Sequence, residues 1–212
     1  GNCFFIEEAI PEDKVYTVVV LGTEDASAGF TYDGQEYKDG ATIMTKAVIK
    51  ASDVQATSVD GTMAVVSVDG LTIYVSYFDA DTKFYTIQGG HGGFVSMNSD
   101  YTDGGNLLLT NSAKPRDNKG IWAFVSQRAG KYKVYNYSTG LSKVLGITGT
   151  EANARATMVK DGTTGYSTLF SGTFNFNSTP SYVKIDGGNH WWNKRGDFLA
   201  LWNTGSVTGD TG

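Results

Sequence analysis

Two stretches of this chain follow one plan, and only one of them completes it. Residues 106–126, N-L-L-L-T-N-S-A-K-P-R-D-N-K-G-I-W-A-F-V-S, read as an apolar strand running to Asn111, a polar loop with Asp117 and Gly120, and a second strand over 121–126. Residues 197–212, D-F-L-A-L-W-N-T-G-S-V-T-G-D-T-G, begin the same way, with a strand over 198–203 and a loop of Gly, Ser and Thr, but no closing strand follows. The opening residues Asn2-Cys3-Phe4-Phe5-Ile6-Glu7-Glu8 have the character of that missing strand. Set after Gly212 they continue the pattern as Ile121-Trp122-Ala123-Phe124 does after Gly120. An apolar strand left without a neighbour exposes unpaired backbone groups and bare side chains. The expectation is therefore that the two ends of the chain meet in one sheet.

Composition narrows the fold class. At 212 residues the chain holds one or two domains. Charged residues are only 18%, aromatics reach 13%, and there are 27 Gly against 3 Pro. With frequent Val, Ile and Thr, this predicts an all-β protein with many tight turns. The net charge of −5 argues against a nucleic-acid partner, which would need a basic stripe. No apolar run approaches ~20 residues, so no helical membrane insertion is expected. No signal peptide is recognisable, and the chain reads as a piece excised from a larger protein with Gly1 as a scar. The single cysteine, Cys3, rules out an internal disulfide and is expected to be a small buried residue of the N-terminal strand.

Residues 13–79 predict a small antiparallel β-sandwich-like domain. Residues 15–21 form a continuous apolar run with β-branched bias. Asp33-Gly34 marks a hairpin between 30–32 and 35–37, and Asp69-Gly70 marks another between 63–68 and 71–77. This stretch holds no histidine, and Asp33, Asp39, Asp60 and Asp69 read as turn formers. It looks like a spacer.

Residues 83–212 carry a weak repeat of about 45 residues. The first copy has strands at 84–88, 94–98, 107–111 and 121–127. The second has 131–137, 143–148, 156–160 and 169–176, and the third 181–185, 190–193 and 198–203. Three four-stranded copies make a β-trefoil, with residues 2–8 as the twelfth strand. The set Gly93-Phe94-Val95-Ser96, Leu107 to Asn111, Asp117-Asn118-Lys119-Gly120-Ile121-Trp122, and Leu199 to Asn203 with Thr208 to Gly212 resembles the ricin-B-like β-trefoil carbohydrate-binding modules of secreted Bacteroidetes glycan-processing enzymes. That resemblance implies a non-catalytic glycan-binding module, secreted or at the cell surface, with a glycan or polysaccharide as ligand and the parent protein's catalytic domain as neighbour.

Catalytic motifs are absent from the sequence: no Gly-x-Ser-x-Gly, no His-Glu-x-x-His, no phosphate loop and no dinucleotide fingerprint. No cofactor or metal is expected. Asp100 and Asp103 read as a Gly-rich hairpin loop rather than a calcium site. A sugar site needs a flat aromatic face for the C–H side of the ring and planar polar groups for hydroxyl pairs. Asp186, His190, Trp191, Trp192, Asn193, Trp202 and Asn203 offer both. Adjacent residues on a strand face opposite ways, so one of Trp191 and Trp192 belongs to the core. The first-lobe counterpart is His91, Tyr101, Asp103 and Asn111. The competing reading is a structural appendage that positions a catalytic domain or binds a protein partner.

Overall fold

The structure, a computed structural model, describes residues 3–97, 105, 107–110, 115 and 117–203. The N-terminal domain contains β1 (Lys14–Leu21), β2 (Gly29–Tyr32), β3 (Gln35–Lys38), β4 (Thr42–Thr45), β5 (Gln55–Ala56), β6 (Met63–Asp69) and β7 (Thr72–Phe78). They form two sheets, ordered β4-β1-β7-β6 and β3-β2-β5. Tyr16, Val18, Phe30, Ile43, Ile73, Val75 and Tyr77 close the core between them. The Tyr77 hydroxyl ties that core to the second sheet, donating to the Thr57 carbonyl at 2.8 Å and lying 3.3 Å from the Gly29 N–H.

The two hairpin turns obey different backbone rules. Tyr32 pairs with Gln35, leaving Asp33 (φ 48) and Gly34 (φ 74) as the turn, both left-handed as a type I′ turn demands. In the second hairpin Asp69 pairs with Thr72, so the turn is Gly70-Leu71, one residue later than the sequence suggested. Gly70, at φ 56, takes the first position, where only a residue without Cβ is at ease.

The second region contains β8 (Phe84–Tyr85), β9 (Phe94–Ser96), β10 (Leu108–Thr110), β11 (Trp122–Arg128), β12 (Lys131–Asn136), β13 (Val144–Thr148), β14 (Ala156–Val159), β15 (Tyr166–Ser167), β16 (Phe170–Thr173), β17 (Tyr182–Ile185), β18 (Trp191–Arg195) and β19 (Phe198–Trp202). Each repeat contributes a hairpin from its second and third strands: β9 with β10, β13 with β14, and β18 with β19. The third strands meet near the axis, where Leu107 N–H donates to the Ala156 carbonyl, Leu199 N–H to Leu107, and Leu201 N–H to Ala154. First and fourth strands build a barrel wall in the order β8-β11-β12-β16-β17, each neighbouring pair antiparallel. This is the β-trefoil plan. One core cluster runs through it, with Trp122, Val134, Leu145, Ile147, Met158, Phe170 and Leu201 almost fully enclosed.

The two domains share a third cluster, in which Val65 and Phe78 pack with Ala123, Tyr135, Val144 and Val159. A short 3₁₀ turn, Gly140–Ser142, lies against β7, where Leu141 N–H donates to Ser76 Oγ at 2.9 Å. A Cβ on Gly140 would sit 2.5 Å from that same Oγ, so the approach depends on glycine. Lys143 pairs with Asp69 at 3.4 Å across the junction.

Two expectations about the N-terminus are not met within the chain. Residues 3–13 form no strand, and Phe4, Phe5 and Ile6 are 88%, 92% and 95% exposed. Cys3 is exposed rather than buried. The first strand to make ladder pairings is β1, which starts at Lys14 and pairs with β4 and, in parallel, with β7.

Candidate functional site

The site lies in the barrel wall. β11 lies between β8 and β12, and β16 lies between β12 and β17. At the third equivalent place β17 pairs with β18 through Lys184 and Trp191, and β8 has no second neighbour among the described residues. Between β8 and β17 is a groove of about 850 Å³, toward the upper end of ligand-pocket sizes. Phe84 to Gln88 form one wall and Tyr182 and Val183 the other, with the β18–β19 hairpin at the side.

The turn after β16 sends Phe174 and Phe176 into this opening. The Phe176 ring lies 4.8 Å from Tyr85 and 5.4 Å from Phe124, and Phe174 lies 4.6 Å from Tyr132. These rings do what a missing strand's side chains would do, covering part of the core from water. The cover is partial: Ile87, Phe124, Phe174 and Trp192 pack on the core yet remain only partly buried. Among the described residues, the Trp192 Nε1 is the one buried side-chain polar atom without a hydrogen-bond partner. The core indole of lobe one, on β11, is satisfied: Trp122 Nε1 donates to the Val95 carbonyl at 2.9 Å.

Five of the sequence-derived sugar residues line the groove: Trp191, Trp192, Asn193, Trp202 and Asn203. The alternation of β18 sorts the tryptophans. Trp192 packs edge-on to Phe170, ring centroids 5.0 Å apart, while Trp191 stands opposite Trp202 on the other face of the hairpin. Each of that pair carries a cation, the Lys184 ammonium 5.0 Å from the Trp191 ring and the Arg195 guanidinium 3.6 Å from Trp202. Asn203, left-handed at φ 53, ends the hairpin, and its carbonyl accepts from Trp191 N–H.

Asp186 and His190 do not line the groove. Asp186 opens a turn closed by Gly188 N–H to the Ile185 carbonyl. Its carboxylate accepts from Lys131 Nζ at 2.7 Å and Arg128 at 3.3 Å. Hydrogen bonding to Lys131, then the charges of both cations, holds its carboxyl below the usual range despite partial burial. Its lone pairs are directed to the β11–β12 hairpin. His190 is half-buried just before β18. In the first-lobe set, His91 is exposed in the Gly90–Gly92 turn, while Tyr101, Asp103 and Asn111 lie outside the described residues.

Sequence reasoning missed the ring group Tyr85, Phe124, Tyr132, Phe174 and Phe176. The signal present was Thr173-Phe174-Asn175-Phe176, an alternation that places two rings on one side of an extended segment. The described residues contain no group of three or more His, Cys, Asp or Glu side chains placed to hold a metal ion. No helix is long and apolar enough to cross a membrane.

No family model matches this chain, and no curated protein matches it. Among solved structures it is similar to the crystal structure of a designed 3-fold symmetric protein, ThreeFoil, with 14% sequence identity and a TM-score of 0.49, over 60% of this chain and 93% of that one.

Proposed function

We propose that this chain is a non-catalytic glycan-binding module of a larger, secreted or cell-surface, glycan-processing protein. The observation that carries the reading is the aromatic groove beside the β18–β19 hairpin, where Trp191 and Trp202 stand cross-strand with Asn193 and Asn203 close by. Indoles supply the flat apolar face that a pyranose ring stacks on, and amides supply paired donors and acceptors for hydroxyls. The cations beside the two rings add charge-assisted donors. Asp186, engaged by Lys131 and Arg128, has no part in it.

Affinity electrophoresis through soluble polysaccharides, with a glycan array for breadth, tests the proposal. Retardation by at least one glycan is expected, lost in Trp191→Ala and Trp202→Ala while far-UV circular dichroism and melting stay near those of the parent. Absence of binding to every glycan, or binding indifferent to both substitutions, overturns it. The second reading, an appendage that binds protein rather than sugar, is favoured by one specific feature, the outer edge of β8, which pairs with no strand among the described residues.

A further inference from the structure

We infer that the glycan taken by the β18–β19 hairpin is an acidic one, and that Lys184, Arg195 and Arg155 meet its anionic groups. The inference rests on the glycan reading above and names the ligand class of that same site.

Strand register puts three rings and three cations on one face of the hairpin. Trp191 pairs with Trp202 and Arg195 with Phe198, so these four side chains share a face. Lys184 joins them through its pairing with Trp191, and Arg155 through its bridge to Ala200. The opposite face is the core side, which carries Trp192 and Leu201. The outcome is a row of stacked pairs. The Lys184 ammonium lies 5.0 Å from the Trp191 ring, the Arg195 guanidinium 3.6 Å from Trp202, and the Arg155 guanidinium 3.9 Å from Phe198. Trp191 and Arg195 stand four residues apart on β18, so the row runs about 13 Å along the strand.

Charge makes this row selective. The whole chain is acidic, at −5. Elsewhere its cations find carboxylates: Arg128 and Lys131 at Asp186, Lys133 at Asp161 and Lys143 at Asp69. Lys184, Arg195 and Arg155 make no ion pair with any described residue. A ring attracts a cation without neutralising it, so all three keep their charge for a ligand. Arg195 is the best fixed of them. Its Nε donates to Asn153 Oδ1 at 3.2 Å, which leaves both Nη groups to take an anion. Asn153 is pinned in turn, its N–H donating to the Leu201 carbonyl at 2.7 Å. Holding the guanidinium in place beforehand lowers the cost of ordering it on binding. With that guanidinium over Trp202, Trp191 is the ring left for the C–H face of a pyranose, and Lys184 stands beside it. A neutral sugar would strip water from these cations without pairing them, whereas an acidic sugar pairs them. Carboxylate and sulfate share this chemistry, and the experiment separates them.

Isothermal titration of the full chain with polygalacturonate and its methyl ester, and with dextran sulfate and dextran, tests the inference. Polyaspartate controls for charge without sugar. One acidic glycan should bind at least about tenfold more tightly than its neutral form, and its binding should weaken as salt rises. Preference for polygalacturonate assigns a carboxylate, and preference for dextran sulfate a sulfate. Arg195→Gln and Lys184→Gln should each weaken binding about tenfold and reduce its salt dependence, and Arg155→Gln should weaken it less, with circular dichroism unchanged. Arg195→Lys, which keeps the charge, should recover part of the loss. Lys133→Gln removes the same charge from β12 and should leave the affinity as it was. Equal affinity for charged and neutral forms overturns the inference. So does polyaspartate that binds as tightly as the acidic glycans, or affinity indifferent to both Arg195→Gln and Lys184→Gln. Binding of neutral glycans alone, lost in Trp191→Ala, overturns the inference and keeps the glycan reading. Absence of binding to any glycan overturns both.

Discussion

Lobes two and three of the barrel are built alike up to their third strands and part company there. Lobe two closes with β16, whose Phe170 is fully enclosed. Lobe three ends its described part with β19 and Asn203, and β17 there pairs with β16 on one side and with β18 on the other. Yet the third strands of all three lobes still hydrogen-bond around the axis. The hairpin triangle and the barrel wall are therefore separable: the triangle holds the core together, and the wall keeps water from it. What the open side lacks is cover for four half-buried side chains and a partner for one indole N–H.

The sharpest way to break this comparison is to truncate equivalent positions. Trp122→Ala and Phe170→Ala should each lower stability by about 3–5 kcal/mol, because each empties a packed site. Phe4→Ala, at an almost fully exposed position, should change it by less than about 0.5 kcal/mol. Urea unfolding followed by tryptophan fluorescence reads all three. A large effect of Phe4→Ala would show that the N-terminal segment is packed in solution.

A subtler pair sharpens it. Trp122→Phe keeps an aromatic ring but strips the Val95 carbonyl of its indole donor, and should cost about 1–2 kcal/mol. Trp192→Phe removes a donor that has no partner, so relief of an unsatisfied group offsets the lost ring area, and the net change should stay nearer zero. Equal costs from the two substitutions would mean that the Trp192 N–H is satisfied in solution.

The sequence made the wall legible and left its closure misjudged. The repeat and the apolar starts of each fourth strand were readable because a trefoil repeats its burial pattern lobe by lobe, as Trp122 and Phe170 do. What a linear pattern cannot carry is direction in space. That β1 pairs parallel with β7 is set by non-local pairing between residues over fifty apart. Site residues divided the same way. Trp191 and Trp192 were separable by strand alternation, whereas Asp186 was lost to cations on a neighbouring hairpin, Arg128 and Lys131, that no local spacing announces.

The closed side has its own titration signature. Tyr135, on β12 in the cluster shared by both domains, has its pKa pushed up to about 12, first by burial and then by the negative charge of Asp161. A raised pKa on an acid means that folding favours the neutral phenol. Its contribution is fully present below pH about 10 and is lost as pH rises through about 12. Absorbance titration near 295 nm should show one of the 12 tyrosines ionising late. Tyr135→Phe should remove that step and flatten the alkaline loss of stability.

The smallest expected effect lies at the open side, where Asp186 ties the end of β17 to the β11–β12 hairpin. Its carboxyl is held below the usual range by the hydrogen bond from Lys131 and the charges of Lys131 and Arg128. With a depressed folded-state pKa, the unfolded chain takes up the proton first as pH falls. The stabilisation is therefore complete above the ordinary carboxylate pKa and disappears as pH drops through the lowered one. Arg128 is largely exposed, so salt screens its share. Asp186→Asn should lose a little stability at neutral pH and none at strongly acidic pH, so the difference between parent and variant melting temperatures should shrink on acidification and on adding salt. If the gap persists unchanged at low pH, the aspartate acts through its turn geometry, and β17 is held by its backbone pairing with β16 and β18.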